Sequence, residues 1–364
     1  TAYVSDSGIR TYWGLNANDN LIQATGPGGI SIIGTNPANS PEYGVELQGI
    51  GVLSKNGPIL IDGGTRGVQL NGAGAYYGER QVVLGYCNTN ICVDSLVTSS
   101  SAANINIVGD TIITPATASN LAINTSGAVV VEPKGNAFAA NTTWNSNAGG
   151  ISGLRVGKDS GTTAQTYRTM LAGTQTVNGD IEVFGGEVAV CGDIRSTTGT
   201  NGILLKGSGN VIVPGPGTTY INGTGTQVVC PAAVNSTTSS QLFTNGTPIT
   251  IWSDADNNGL GAAGIYNGTN LNTHVENGVA IATGGGDITI GGGLAATDNA
   301  RVPAGYASGY GTNSFYGFTG STAVGDGYQS GVMIGTSSTA LSYQTKLLSA
   351  GGKITVRGQS TPST

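Results

Sequence analysis

Gly286-Asp287-Ile288-Thr289-Ile290 reads as a glycine, a polar residue and two aliphatics one residue apart. The phrase returns as Gly352-Lys353-Ile354-Thr355-Val356 and, mid-chain, as Gly179-Asp180-Ile181-Glu182-Val183. Aliphatics separated by one residue point to the same face of a strand, and flanking glycine ends the strand and turns the chain. Looser copies run through the whole sequence: Gly29-Ile30-Ser31-Ile32, Pro58-Ile59-Leu60-Ile61, Asn104-Ile105-Asn106-Ile107, Gly202-Ile203-Leu204-Leu205, Asn210-Val211-Ile212-Val213 and Pro248-Ile249-Thr250-Ile251. Strands this short do not fold alone, so many of them at a loosely regular spacing predict stacking.

Ile181 and Ile203 are 22 residues apart, and Ile288 and Ile354 are 66 apart, three times as far. A period of 20–22 residues predicts an all-β parallel β-helix, each coil made of three short strands and three turns. About fifteen such coils, stacked at the ~4.8 Å strand spacing, would make a rod of roughly 70 Å. Residues 1–145 read as N-terminal coils with an insertion at 73–101, and 146–364 as continuing coils with a Tyr/Gly-rich loop at 294–330. One continuous solenoid and two separated near residue 145 are both open readings, since Asn141 to Gly150 is polar and irregular enough to be a break. Gln165 to Leu171 reads as a loop or a single turn.

Composition narrows the class. Glycine supplies 62 of 364 residues without the collagen triplet, and charged residues are 9% against about 25% in typical proteins. Serine, threonine and asparagine must therefore solvate the surface. Hydrophobic content of 38%, gathered in alternating clusters, argues for order. The net charge of −6 and the scattering of only 14 basic residues argue against a nucleic-acid groove. No run of apolar residues is long enough to span a membrane as a helix. Residue 1 does not begin a signal peptide, and both ends read as cuts through a longer polypeptide.

Cys87 and Cys92 are placed to close a local disulfide loop. Cys191 and Cys230 lie 39 apart, close to two repeat lengths, which puts them two coils apart and beyond the ~7 Å Cα limit for a bridge unless the register shifts. A bridge in an irregular coil and a pair of buried thiols both remain open readings.

Candidate chemistry is sparse. The lone histidine, His274, sits among Thr and Asn as a surface residue would, and no G-x-S-x-G, H-E-x-x-H, C-x-x-C or Walker sequence occurs. The carboxylate pairs Asp180/Glu182, Glu187/Asp193 and Asp254/Asp256 are candidates for glycosidase or lyase chemistry, but each also reads as a solvated face. Asp254-Ala255-Asp256-Asn257-Asn258-Gly259 matches the D-x-D-x-N-G opening of a calcium loop, with Asp254, Asp256 and Asn258 as ligands. Ile265 stands where such a loop has its glutamate, and an Asx-rich turn reads equally well. Tyr306, Tyr310, Phe315, Tyr316 and Phe318 give the 294–330 loop an aromatic surface that suits a glycan or a protein, or else a cover for the solenoid's side. Sequons at Asn124, Asn141, Asn222, Asn235, Asn245 and Asn267 are compatible with a secreted, glycosylated surface.

Several stretches resemble the repeat region of giant filamentous-haemagglutinin-type bacterial adhesins: residues 178–194 around Asp180, 247–259, 282–294 followed by the Tyr/Gly loop, and 348–360. The similarity covers residues 150–358 best and residues 1–120 less well. It implies a right-handed parallel β-helix stalk on an exported cell-surface protein, with no catalytic residue and no cofactor. The secretion domain of such adhesins has no counterpart here, since Asn36-Pro37-Ala38-Asn39 departs from its Asn-Pro-Asn turn. The expected function is a structural and adhesive segment whose partners are neighbouring coils, identical subunits end to end, or surface glycans and proteins. A β-helical polysaccharide lyase or hydrolase is one alternative. A calcium-stabilised glycan-binding module is the other.

Overall fold

The computed structural model describes residues 2–3, 9–11, 20–36, 42–70, 73–74, 78–79, 81–87, 92, 94–214, 219–221, 227–231, 241–267, 279–308, 331–336 and 345–359. The chain divides into two compact units, Thr1–Lys158 with Thr174–Gly179, and Asp159–Gly173 with Asp180–Thr364. Each is a stack of parallel coils with three faces, a parallel β-helix.

In the first unit one face is built from Ile30–Ile33, Ile59–Asp62, Ile105–Val108, Ala128–Glu132 and Gly153–Val156, all parallel and in register. Its inward side chains form two rows, Ile30-Ile59-Ile105-Val129-Leu154 and Ile32-Ile61-Ile107-Val131-Val156, all buried. Burying each of these aliphatics contributes about 1.5–3 kcal/mol, and branched side chains suit the pleated surface. The second face stacks Val45–Leu47, Val68–Leu70 and Ile112–Ile113. The third stacks Asn20–Ala24, Ile50–Ser54, Val82–Gly85 and Leu121–Asn124.

The second unit follows the same plan. Its first face carries Ile181–Gly185, Ile203–Gly207, Ile249–Ser253, Ile288–Ala295 and Ile354–Val356. The start of Val188–Ser196 pairs with Val211–Pro214, then Ala263–Asn267 and Val332–Thr336. The end of Val188–Ser196 pairs with Gln241–Thr244, then Ala280–Ala282 and Lys346–Leu348.

Two devices turn the corners. Where coils approach most closely only glycine fits: a Cβ on Gly67, at φ 88°, would lie 1.9 Å from the Thr111 carbonyl oxygen. Elsewhere buried hydroxyls bind carbonyls on their own or the neighbouring coil, Ser54 to Gly57 at 2.7 Å and Thr125 to Ala103 at 2.7 Å. Ser196, Thr244 and Thr283 are likewise fully buried in the second unit. Part of the serine and threonine expected at the surface is therefore interior, satisfying backbone acceptors that the turns leave open.

The structure corrects several expectations. Coils without insertions are 22, 24 or 25 residues long, as Ile181 to Ile203, Ile105 to Val129 and Val129 to Leu154 show. Ile288 and Ile354 are direct register partners, so their 66-residue separation is one coil lengthened by insertions. Among the described residues the first face accordingly has five rungs in each unit, short of the roughly fifteen coils expected. The proposed insertion at 73–101 contains a true coil strand, Val82–Gly85, preceded by a small antiparallel ladder of Ala73–Gly74 and Gly78–Glu79. The polar Asn141 to Gly150 stretch is not a break but most of one strand, Thr142–Ile151, with Trp144 and Ile151 fully buried; the division falls after Lys158. Finally, Thr169-Met170-Leu171 opens the strand Thr169–Val177 and is buried, whereas a loop or turn was expected there.

Candidate functional site

The alternation that sends Ile249, Ile288 and Ile354 inward sends the intervening residues outward. Leu204, Thr250, Thr289 and Thr355 are therefore successive partners in a row along the outside of the second unit's first face. After Ile288–Ala295 the chain reverses, and Pro303–Gly305 returns antiparallel along it. The connecting turn is held by Ala296 N–H to Val302 O at 2.7 Å and Arg301 N–H to Asn299 Oδ1 at 2.9 Å. Arg301 reaches Glu182, three rungs from Thr289 in the same outward row, and pairs with it.

Between this arm and the threonine row lies a groove of about 470 Å³. Its floor is Leu204, Thr250, Thr289 and Thr355, and its charged rim is Asp287, Asp298, Arg301, Lys353 and Arg357. Thr250 and Thr289 are only 5% and 8% exposed, yet neither hydroxyl bonds to a described residue. The Nη2 atom of Arg301 is buried and has no acceptor among the described residues. Arg357 is braced by a 2.8 Å bond to the Pro303 carbonyl.

One row further along the strands, Phe184, Lys206 and Trp252 are successive partners. Phe184, Leu204, Trp252 and Ala255 form a buried cluster, with the Lys206 ammonium 4.6 Å from the Trp252 ring centre and paired to Asp159 at 2.7 Å. The Trp252 indole N–H donates to Gly293 O at 2.8 Å, anchoring the base of the arm.

The Asp254 loop is a knot of Asx turns. Asp254 Oδ1 accepts N–H groups of Gly259 at 3.1 Å and Leu260 at 3.3 Å, Asp256 Oδ2 accepts from the Asn258 amide at 2.8 Å, and Asn258 Oδ1 accepts the Leu260 N–H at 2.8 Å. Oxygens proposed as calcium ligands are thus engaged by the loop's own donors. Asp254 is 2% exposed, and burial pushes its carboxyl above the usual carboxylate range, with the two N–H groups pulling it back. Among the described residues no group of three or more His, Cys, Asp or Glu is arranged around a common point.

The other carboxylates take separate partners. Asp180 accepts from Asn201, Glu187 faces Arg168 at 3.9 Å, and Asp193 holds Arg195 at 3.1 Å. Cys87 and Cys92 form a disulfide with Cα atoms 5.9 Å apart, and Cys191 bonds to Cys230 with 5.5 Å between Cα atoms. The two-coil estimate fails for the second pair because the chain between them is one coil plus an inserted hairpin, Thr219–Ile221 with Gln227–Val229. Of the aromatic loop, Tyr306 is exposed, while Tyr310, Phe315, Tyr316 and Phe318 lie outside the described residues, as does His274.

Comparison of the chain with family models, with characterised proteins and with solved structures gives no match. The groove was not singled out from sequence. Its one legible signal was the threonine shared by Ile249-Thr250-Ile251, Ile288-Thr289-Ile290 and Ile354-Thr355-Val356, which fixes a row of like side chains once the strands stack. Arg301 carried no signal, because its role depends on a chain reversal.

Proposed function

We propose that this chain is a structural and adhesive β-solenoid segment of a large exported bacterial surface or filament-forming protein. Its parallel coils span distance, and their insertions present loops. The observation that carries the reading is the state of the last described rung. Ile354 and Val356 continue the inward rows of the fully buried Ile288 and Ile290 but are 43% and 44% exposed, and Ile334, in register with buried Ile265, is 40% exposed. Aliphatic rows and strand edges left open in this way suit a further rung, from the same polypeptide or an identical subunit, which would bury both. The two disulfides fit an oxidising compartment, as export requires.

Electron microscopy of the native material tests this. Continuous rods with an axial repeat of ~4.8 Å are expected. Separate compact particles, unchanged by Ile354→Lys with Val356→Lys, would overturn the reading.

A further inference from the structure

We infer that the groove over the Leu204-Thr250-Thr289-Thr355 row is a binding site for a neutral oligosaccharide chain, independent of whether the coils assemble. The shape comes first. Four successive rungs line the floor, so the groove runs along the stacking axis for roughly 14 Å, and its volume of about 470 Å³ is that of a ligand site. The arm that walls it is fixed at both ends, by Trp252 at its base and by Glu182 beyond its tip, so the site is preformed.

The chemistry selects the ligand. Thr250 and Thr289 line the groove floor with no hydrogen bond from either hydroxyl to a described residue, and the buried Arg301 Nη2 is an unused donor among the described residues. A buried guanidinium N–H left unsatisfied is costly unless a ligand or water meets it. At the rim the Asp298 carboxylate and the Lys353 ammonium make no ion pair with described residues. Donors and acceptors thus line the same groove. A ligand serving both needs groups that donate and accept, which is what sugar hydroxyls do.

Charge excludes the other polymers. Arg301, Lys353 and Arg357 are balanced by Asp287, Asp298 and the Glu182 paired to Arg301, so a polyanion gains no net attraction and meets two carboxylates. A peptide would look for deep apolar pockets, whereas Leu204, Pro248 and Val302 are the apolar side chains in the lining. The stacked threonines repeat at ~4.8 Å, a periodic floor suited to a repeating chain.

The test uses the full chain on an array of α- and β-linked neutral hexose and N-acetylhexosamine oligomers beside uronate oligomers, followed by calorimetry with the best neutral binder. Thr289→Val keeps the strand and removes one floor hydroxyl; a three- to tenfold loss of affinity is expected from one hydrogen bond, and about tenfold from Asp298→Asn. Ser31→Ala, on an outward position of the other unit, should change nothing. Far-ultraviolet spectra and melting temperatures of all three variants should match the parent. No binding to any neutral oligomer overturns the proposal. So does neutral-oligomer binding that both groove variants leave intact, and so does binding confined to uronates that fades with salt.

Discussion

Gly67→Ala should destabilise the first unit far more than its size suggests. Gly67 sits at φ 88°, ψ −172°, a region open essentially to glycine, which costs another residue roughly 1–3 kcal/mol. Its Cβ would then lie 1.9 Å from the Thr111 carbonyl oxygen on the next coil. That oxygen accepts the Val68 N–H at 2.8 Å, so relieving the clash means moving Thr111 away and weakening a coil-to-coil bond worth about 1 kcal/mol. Overpacking against backbone adds about 1–3 kcal/mol, because backbone, unlike a side-chain tip, cannot swing aside. Together these predict a loss of about 4 kcal/mol. Gly28→Ala is the control, since nothing lies within 4 Å of the Cβ it would carry and its φ is ordinary. It should be neutral or stabilise by up to about 1 kcal/mol through the unfolded chain. Urea unfolding followed by far-ultraviolet circular dichroism reads both. If Gly67→Ala costs less than about 1 kcal/mol, glycine is not required at this close approach and the account of the corners fails.

Two further perturbations probe the second unit and the cross-links. Burial raises the Asp254 carboxyl above its ordinary value of 3.8, so the folded chain holds that proton more tightly than the unfolded one; this group's contribution is full below 3.8 and is lost as pH rises through the raised folded value. Asp254→Asn keeps the oxygen that accepts from Gly259 and Leu260 and tolerates the residue's φ of 51°, so the variant should gain on the parent as pH climbs from 3 to 7; urea midpoints that run parallel across that range would refute this. Replacing Cys191 and Cys230 with alanine should cost about 4 kcal/mol, against about 2 for Cys87 and Cys92, since a separation of 39 residues closes a longer loop than one of 5. The reverse order in chemical denaturation would show that unfolded-chain entropy does not set the difference.

The first face was legible because its signal is local. Each of its ten described strands shows two inward aliphatics one residue apart, from Ile30 and Ile32 to Ile354 and Val356, and buried aliphatic rows demand one register. Coil length was not legible, because a solenoid constrains what stacks and leaves the chain between strands free. The spacing of 66 between Ile288 and Ile354 satisfied a multiple of 22 by coincidence. The polar strand around Trp144 was missed for a related reason: Asn145 and Ser146 are buried there, the former donating to the Pro115 and Ala116 carbonyls at 3.0 and 2.6 Å, so polarity marked corner chemistry and not exposure. The Asp254 loop forms the Asx turns that the sequence also allowed, but local sequence cannot say whether an oxygen meets a cation or an N–H.

Coil length also shows where chemistry accumulates. A bare coil of 22–25 residues exposes only the short outward row of each strand, which offers flat and well-solvated surface. Insertions change this without disturbing the ladder, because each coil is paired only with its neighbours and long surface connections carry little extra closure entropy. On the second unit's first face, successive spacings run 22, 46, 39 and 66 residues, and the longest coil supplies the arm that converts the threonine row from open surface into a walled groove. The same threonines without the arm would be fully hydrated and would have no reason to prefer a ligand to water. With it, two threonines only 5% and 8% exposed share a groove with a buried, unused guanidinium nitrogen, and a partner that can both donate and accept gains what solvent supplies poorly to that nitrogen. The aliphatic rows set where the threonines stand, and the insertion decides what they can bind.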